Sequence, residues 1–306
     1  MNIVAEESET AAPVQHVTVM AGEVVRALTP TSGGLYLDLT AGGGGHSAAL
    51  LAECASARVI AFDRDPDAIA RTTERLRPFG ERATVVRGSF ADVEAWLASA
   101  GVEAAAGLVA DLGISSQQLG DPERGMSFRV EGPLDMRMDP DAGETAWELL
   151  NRLDQDELAD VIYCYGEERR SRRVARCIKQ ALEEGTLHTT LDLRRAVVRA
   201  VGPRRVGGID PATRTFQALR IAVNHELQQL ERLLALAPRI IVPGGVAVFI
   251  SFHSLEDRLV KRALAERSLW QRMTKKPLLA SAEEQRENPR SRSAKLRAAW
   301  RVEDPE

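Results

Sequence analysis

The sequence predicts an α/β fold in which a parallel sheet carries helices on both faces and an all-helical domain is inserted into it. Short apolar stretches alternate with stretches of helical periodicity from about residue 19 to residue 111. Such alternation is typical of a parallel sheet. From residue 144 to about residue 201 only helical signals occur, and an apolar strand returns at 246–250. The helical region therefore interrupts the sheet.

Length and composition set the first limits. The 306 residues suffice for one large domain or two modest ones, and the net charge is −4. No apolar run approaches the roughly 20 residues that span a bilayer. We expect residues 1–15 to be a disordered acidic tail on a cytoplasmic protein. The 3 cysteines are far apart, which argues against disulfides and zinc, and no spacing of metal ligands is found.

A run of glycines follows the first strand, which is predicted at 35–39. Gly42 to Gly45 come immediately before His46 and a helix from about Ser47. A glycine turn lets the backbone approach a ligand, and the helix N-terminus offers it free N–H groups. The alternative is a loop that merely connects two elements. A functional turn at this place would suit a dinucleotide or S-adenosylmethionine.

Asp63 ends the second strand, predicted at 58–62, about 20 residues beyond the glycine turn. An α/β nucleotide fold places the acid that binds ribose hydroxyls at this distance. The alternative is that Asp63 caps the next helix, because Asp65 and Pro66 also belong to a helix start. We expect Asp65 to be the cap and Asp63 the ribose ligand.

The other elements follow from the same periodicities. Further strands are predicted at 83–86, 107–110 and 296–301, and helices at 19–28, 47–54, 66–76, 91–100, 144–151, 154–164, 167–184, 190–201, 211–236 and 255–266. A sharp turn is expected at 243–245. The core is predicted to comprise 16–118 and 210–306, and a loop with the helical domain to comprise 119–209.

Strand ends that meet at one edge of a parallel sheet define the predicted site. They are the glycine turn with His46, then Asp63, Phe90 and Asp111. Phe90 could pack against an adenine ring or simply belong to the core. The polar stretch that begins at Asp111 could hold the amino-acid part of S-adenosylmethionine and bind an acceptor group.

An amine conjugated to a ring is a poor nucleophile because its lone pair is delocalised. An oxygen that accepts the amine's hydrogens favours the pyramidal form that attacks a methyl group. Asp111 is our candidate for this role, with Ser115 as a second. His253, after the strand at 246–250, could touch substrate or accept a proton, although a lone histidine is more often structural.

Two basic stretches stand out on this acidic chain. One comprises Arg169, Arg170, Arg172, Arg173, Arg176 and Lys179, and the other Arg290, Arg292, Lys295, Arg297 and Arg301. Such clusters neutralise phosphates in nucleic-acid binders. The alternative for the first stretch is a solvated helix face paired with Glu167, Glu168, Glu183 and Glu184.

Several long blocks of the sequence resemble the RsmH (MraW) family over residues 16 to about 301. They run from Asp38 to Ser47, Asp63 to Pro66, Asp111 to Ser116, Gly132 to Asp139, Tyr165 to Arg169, Pro211 to Ile221, Ile250 to Arg258 and Asn288 to Ser293. The resemblance implies a Rossmann-like methyltransferase core with an inserted helical domain.

The resemblance also implies a reaction. Members use S-adenosylmethionine to methylate the exocyclic amine, N-4, of one cytosine in the decoding region of bacterial 16S rRNA, in an assembled 30S particle. It places the cofactor contacts on Gly44, Gly45, His46, Asp63, Phe90, Asp111 and Gln118. A homodimer is compatible with the sequence.

Two other functions share some of these features. A dinucleotide-dependent oxidoreductase would have the glycine turn and Asp63, but it leaves the stretch after Asp111 unexplained. A non-enzymatic RNA-binding or ribosome-assembly protein would account for the arginine clusters.

Overall fold

The computed structural model describes residues 18–29, 33–203 and 210–303. The acidic tail predicted at 1–15 lies outside the described residues. The strands are β1 (Gly34–Asp38), β2 (Ala57–Asp63), β3 (Ala83–Arg87), β4 (Ala105–Asp111), β5 (Ile241–Ser251), β6 (Trp270–Arg272) and β7 (Lys295–Arg301).

All seven strands in the described ranges form one sheet, in the order β3-β2-β1-β4-β5-β7-β6. The first five strands are parallel, and β7 runs antiparallel between β5 and β6. The predicted α/β fold with its parallel sheet is confirmed, whereas β6 was not predicted. Strand order reverses between β1 and β4, and a ligand crevice is expected outside their carboxyl ends.

The helices are α1 (Ala21–Leu28), α2 (Gly45–Glu53), α3 (Pro66–Leu76), α4 (Val93–Ser99), α5 (Ser116–Gly120), α6 (Ala146–Arg152), α7 (Gln155–Gly166), α8 (Ser171–Glu183), α9 (Thr190–Val201), α10 (Thr213–Asn224), α11 (Glu226–Ile240), α12 (Ser254–Ala263) and α13 (Ala282–Glu287). Side-chain caps explain several starts. The Thr145 hydroxyl begins α6 and the Asp154 carboxylate begins α7, each within a capping box. Within the described ranges, no helix is both long and apolar enough to cross a bilayer.

Helices cover both faces of the sheet because successive side chains of a strand point to opposite sides. Leu37 of β1 is buried in a cluster with Leu230 of α11 and Val260 of α12. Its neighbour Tyr36 is buried in a second cluster with Leu50 of α2. The arrangement is a three-layer sandwich with the sheet in the middle.

The helices α6 to α9 build a third apolar cluster of their own. Phe216 and Leu219 of α10 are buried in the same cluster, although α10 follows residue 209. The division into a core of 16–118 and 210–306 and an insert of 119–209 stays a prediction. We call α6 to α9 the helical unit. Because α10 packs on it, the helical unit is joined to the chain that returns to the sheet.

The prediction of a single helix at 211–236 is wrong, because the structure has two helices there, α10 and α11. His225, with a φ of 51°, ends α10 and precedes α11 in the left-handed region. The buried Asn224 side chain holds this corner, since its Oδ1 accepts from the Met138 N–H and its Nδ2 donates to the Met136 carbonyl, both at 2.7 Å. The corner is therefore fixed by a distant loop.

The turn expected at 243–245 lies inside β5 rather than before it. Ala105 of β4 pairs with Ile241, and Gly107 pairs with Val246, so the residues between them bulge out of the ladder. Gly244 takes a φ of 75° there. The proline and glycines thus interrupt a strand, as β-bulges do.

Candidate active site

A cavity of about 990 Å³, counted with the space open at its mouth, lies at the carboxyl edge of the sheet. The structure brings most of the predicted site residues together there. Those that line the cavity are Gly45, His46, Asp63, Phe90, Asp111, Ser115 and Gln118. Gly44 is just outside this set, as the left-handed residue in front of α2.

The glycine turn has local reasons for its composition. Gly42 and Gly44 have φ values of 57° and 73°, which favour glycine. A Cβ on Gly45 would lie 1.7 Å from Thr18 Oγ1, so no side chain fits there. The turn therefore brings bare backbone and the first residues of α2 to the cavity.

Asp63 braces this turn from the end of β2. Its Oδ2 accepts from the Gly42 N–H at 2.8 Å, and its Oδ1 accepts from the Asp65 N–H at 3.0 Å. Burial raises the pKa of Asp63, although these backbone bonds lower it in part. Each oxygen keeps a further lone pair, so the carboxylate can still accept hydrogen bonds from ligand hydroxyls. The expectation that Asp65 caps α3 is confirmed, since its Oδ1 accepts from the Asp67 N–H.

Asp38, His46 and Asp111 form a row of titratable groups beside the turn. Asp38 is fully buried, which raises its pKa, and it accepts from Ser47 Oγ at 2.6 Å. His46 Nε2 lies 3.7 Å from Asp111 Oδ2. Burial lowers the pKa of His46, but Asp111 and Asp38 raise it by more, so the net shift is upward.

Some of these atoms are buried without a partner. Among the described residues, both ring nitrogens of His46 and Oδ1 of Asp111 have no hydrogen bond. A buried polar atom left unsatisfied costs roughly 1–3 kcal/mol. Since His46 and Asp111 both line the cavity, these atoms favour a polar ligand at this end of it.

Ser115 and Gln118 support the loop that follows β4. Ser115 Oγ accepts from the Gln118 N–H at 3.1 Å, and Gln118 Oε1 accepts from the Ser115 N–H at 2.9 Å, a capping box at the start of α5. Gln118 Nε2 donates to Asp65 Oδ2 at 2.8 Å, beside Arg124 Nη1 at 3.1 Å. Both predicted contacts therefore carry structural bonds, and the Ser115 hydroxyl keeps its hydrogen for a ligand.

Phe90 lies at the cavity as predicted, whereas His253 does not line it. Phe90 lines the cavity and also packs against the first core cluster, so the two interpretations coexist. His253 is not among the described residues that line the cavity. Its Nδ1 accepts from the Glu256 N–H at the start of α12. The structure therefore favours a capping role for His253, and Glu256 reaches the cavity instead.

Glu226, His253 and Glu256 offer ligand atoms within 4.8 Å of one another, a group that no sequence spacing revealed. Arg220 already donates to both Glu226 oxygens, at 2.8 and 2.9 Å. Glu256 Oε2 accepts from the Phe252 N–H at 2.9 Å. Arg220 supplies the positive charge that a metal would bring, so a buried ion-pair network explains the group.

Sequence reasoning missed several cavity residues. Arg64, Glu226, Gln229 and Arg290 line the cavity from four separate places in the chain. Arg64 Nη1 donates to the Asn224 carbonyl at 3.3 Å and thereby reaches α10. Glu226, Gln229 and Arg290 stand at no strand end, so the strand-end argument could not find them, and Arg64 directly follows β2 but was passed over for Asp63. Their only signal was that Arg64 and Arg290 fall in blocks that carry the resemblance.

The first basic stretch lies at the start of α8 on the helical unit. Its exposed members, called the α8 arginine cluster below, are Arg169, Arg170, Arg172, Arg173 and Arg176. Among the described residues, no carboxylate forms an ion pair with any of them. Lys179 differs, because its Nζ donates to the Leu150 carbonyl at 2.6 Å and burial lowers its pKa.

Three of the four acids expected to neutralise this cluster form ion pairs with arginines outside it, and one of them, Glu168, lies 3.8 Å from Arg214. Glu167 pairs with Arg258 at 2.9 Å, and Glu184 lies 3.9 Å from Arg199. The α8 arginine cluster is therefore a surface of uncompensated positive charge. This outcome favours the phosphate-binding interpretation over the paired helix face.

The second basic stretch does not form such a surface. Arg297 is buried and its Nε donates to Asp257 Oδ1 at 2.7 Å. Lys295 lies 3.5 Å from the same carboxylate, and Arg301 Nη1 donates to the Ile241 carbonyl at 2.7 Å. Arg290 enters the cavity. Structural contacts thus account for most of this stretch.

Comparison with known proteins gives a consistent picture. The model of the MraW methylase family matches residues 13–302. A protein of Sorangium cellulosum named ribosomal RNA small subunit methyltransferase H is 65% identical over 288 residues, covering 94% of this chain and 91% of the relative. A protein of the same name from Prochlorococcus marinus is 52% identical over 295 residues, covering 94% and 93%. One from Pelobacter propionicus is 47% identical over 312 residues, covering 94% and 99%.

Proposed function

The chain belongs to the MraW methylase family and is a methyltransferase, and we propose that it transfers a methyl group from S-adenosylmethionine to N-4 of one cytosine in the decoding region of bacterial 16S rRNA. The observation that carries this proposal is the cavity at the strand ends, lined by Asp63, by Asp111 with its Oδ1 free of hydrogen bonds, and by His46 with both ring nitrogens free of hydrogen bonds. Family membership decides against the oxidoreductase and the non-enzymatic RNA-binding protein.

The cavity residues fit S-adenosylmethionine. Asp63 retains lone pairs for the ribose hydroxyls, and Phe90 offers a ring face for adenine. The buried ring nitrogens of His46, which have no hydrogen bond, suit the charged amino-acid part, beside the turn where Gly45 leaves no room for a side chain. When bound, S-adenosylmethionine supplies a methyl group on a positively charged sulfur.

Asp111 prepares the acceptor. The exocyclic amine of cytosine shares its lone pair with the ring, so it is a weak nucleophile. Oδ1 of Asp111 is buried and free to accept one of the amine's hydrogens, which favours the pyramidal, nucleophilic form. The Asp111 N–H donates to Thr40 Oγ1, which fixes the backbone there. A carboxylate held this way orients the amine, and orientation supplies much of the rate.

Docking of the RNA involves the helical unit. The α8 arginine cluster is exposed and unpaired among the described residues, so its guanidinium groups are available for backbone phosphates. Binding to an assembled 30S particle, a homodimer and a cytoplasmic location stay predictions.

Methyl transfer from labelled S-adenosylmethionine tests the proposal. Small ribosomal subunits that lack the modification and naked 16S rRNA are offered in parallel to the unmodified chain. We expect label in the RNA of the assembled particles. Tight cofactor binding without label in either substrate would overturn the proposed acceptor.

A further inference from the structure

Arg290 is held in the cavity by uncharged groups. Its Nη1 donates to Ser116 Oγ at 2.7 Å, its Nη2 donates to the Ile114 carbonyl, and the guanidinium lies 5.7 Å from the centre of the Phe252 ring. Burial lowers the pKa of Arg290, while the charge of Asp111 raises it in part. The guanidinium nevertheless stays cationic, as arginine does in proteins.

Two other arginines near the site are compensated by carboxylates, whereas the cavity residue Arg64 donates to the Asn224 carbonyl and to Met138 Sδ. Arg220 forms two bonds to Glu226, and Arg124 pairs with Asp65 at 3.1 Å. Within the part of the chain that the structure describes, Arg290 forms no such ion pair. A guanidinium has five N–H donors, and the two bonds above leave three of them. Arg290 therefore brings spare donors into the cavity.

The cavity also presents a matching acceptor. Asp111 Oδ1 is buried without a partner, and its charge acts on Arg290. Arg290 and Asp111 both line the cavity at the carboxyl edge of the sheet. A ligand that satisfies both must offer a hydrogen-bond donor next to an acceptor.

Cytosine has this arrangement on its Watson–Crick edge. Its N-4 amine donates, and the adjacent N3 and O2 accept. Uracil presents the reverse at the first two positions, since O4 accepts and N3–H donates. Enzymes that modify a base read this edge after taking the base out of its stack. Sites built with buried polar groups reject a base that leaves those groups unpaired.

We propose that Arg290 is a specificity-determining residue that donates to N3 and O2 of the target cytosine while Asp111 accepts from its amine. This inference rests on the proposed function and goes beyond it by assigning the selection of the base. Loss of a hydrogen bond from a charged donor is expected to lower kcat/KM roughly 10- to 100-fold.

The test compares Arg290→Met with the unmodified chain on two kinds of small subunit. One carries the target cytosine, and the other carries uracil there and acts as a competitive inhibitor without an amine. The unmodified chain should bind the cytosine form at least about 10-fold better, and Arg290→Met should lose most of that preference. Arg292→Met is the matched control, because Arg292 is exposed and bonds only to the Gln285 carbonyl among described residues.

Two further measurements separate the alternatives. Cofactor affinity by calorimetry should be unchanged in Arg290→Met, whereas a loss as large as that of kcat/KM would reduce Arg290 to a support for the 114–116 loop. Arg290→Lys keeps the charge but not the planar fork. It should behave like Arg290→Met, and near-normal activity would identify a phosphate contact and overturn the proposal.

The outcomes also separate this inference from the proposed function. If the unmodified chain transfers no methyl group to either subunit, the proposed function fails and the role of Arg290 fails with it. If transfer is normal and Arg290→Met keeps the preference for cytosine, only the role of Arg290 is wrong.

Discussion

Charge reversal in the α8 arginine cluster should weaken RNA binding in a salt-dependent way. Arg172 and Arg173 are exposed and form no ion pair with a described residue, so Arg172→Glu/Arg173→Glu should leave the fold intact. Each lost phosphate contact makes the negative slope of log K against log salt shallower by roughly 1, so the loss of two contacts makes it shallower by about 2. Between about 50 and 200 mM salt, a fourfold change, the defect should therefore shrink about 16-fold.

The assay is equilibrium binding to small subunits across that range of salt. Arg26→Glu/Arg77→Glu is the control, since it changes the net charge equally but at arginines already paired with Glu23 and Glu74. We expect the control to keep the slope of the unmodified chain. An unchanged slope in the α8 variant, or an equal change in both variants, would refute direct phosphate contacts.

Three further perturbations test the site and the helical unit. Asp111→Asn should lower kcat about 10²- to 10³-fold under saturating cofactor, as removal of one preorganised charge partner does; a near-normal single-turnover rate would exclude the role assigned to Asp111. Gly45→Ala should abolish tight cofactor binding in calorimetry because its Cβ would meet Thr18 Oγ1 at 1.7 Å, and Thr18→Gly in the same chain should restore part of it. Burial raises the pKa of Asp192, but Arg195 and backbone N–H groups outweigh this and lower it to about 2, so its stabilising effect is present above pH 3.8 and lost as the pH falls towards 2. Asp192→Asn should therefore lower the free energy of unfolding by about 1 kcal/mol at neutral pH, and urea titrations that show the same difference below pH 3 would contradict this.

Elements with local signals were predictable from the sequence. The helix predicted at 66–76 has the observed bounds Pro66–Leu76, because Asp65 caps it and proline fits its first turn. β1 and the glycine turn were found for the same kind of reason, alternation followed by four residues without side chains. Such features depend on neighbours in sequence.

Features that depend on distant contacts were not predictable. The break at His225 is a left-handed residue without glycine, held by Asn224 bonds to Met136 and Met138. Helical periodicity continues across it, so no local pattern marks it. Likewise, Arg290 reaches the cavity only because the chain returns to the sheet beyond β6.

In the candidate site, some features were predictable from the sequence and others were found only in the structure. Asp63 and Asp111 were placed at the cavity because the ends of parallel strands must share an edge. Ser115 and Gln118 were predicted as ligand contacts, and the structure adds their mutual capping box. The spacing of serine and glutamine three residues apart is a capping-box signature and could have revealed it.

The central claim is that the acceptor is the exocyclic amine of a cytosine. The most direct test is to treat unmodified small subunits with this chain and methyl-labelled S-adenosylmethionine, digest the 16S rRNA and identify the labelled nucleoside by mass spectrometry. The account predicts label on N-4 of a single cytosine in the decoding region. Label on a ring carbon, on a ribose oxygen or on another base would contradict it.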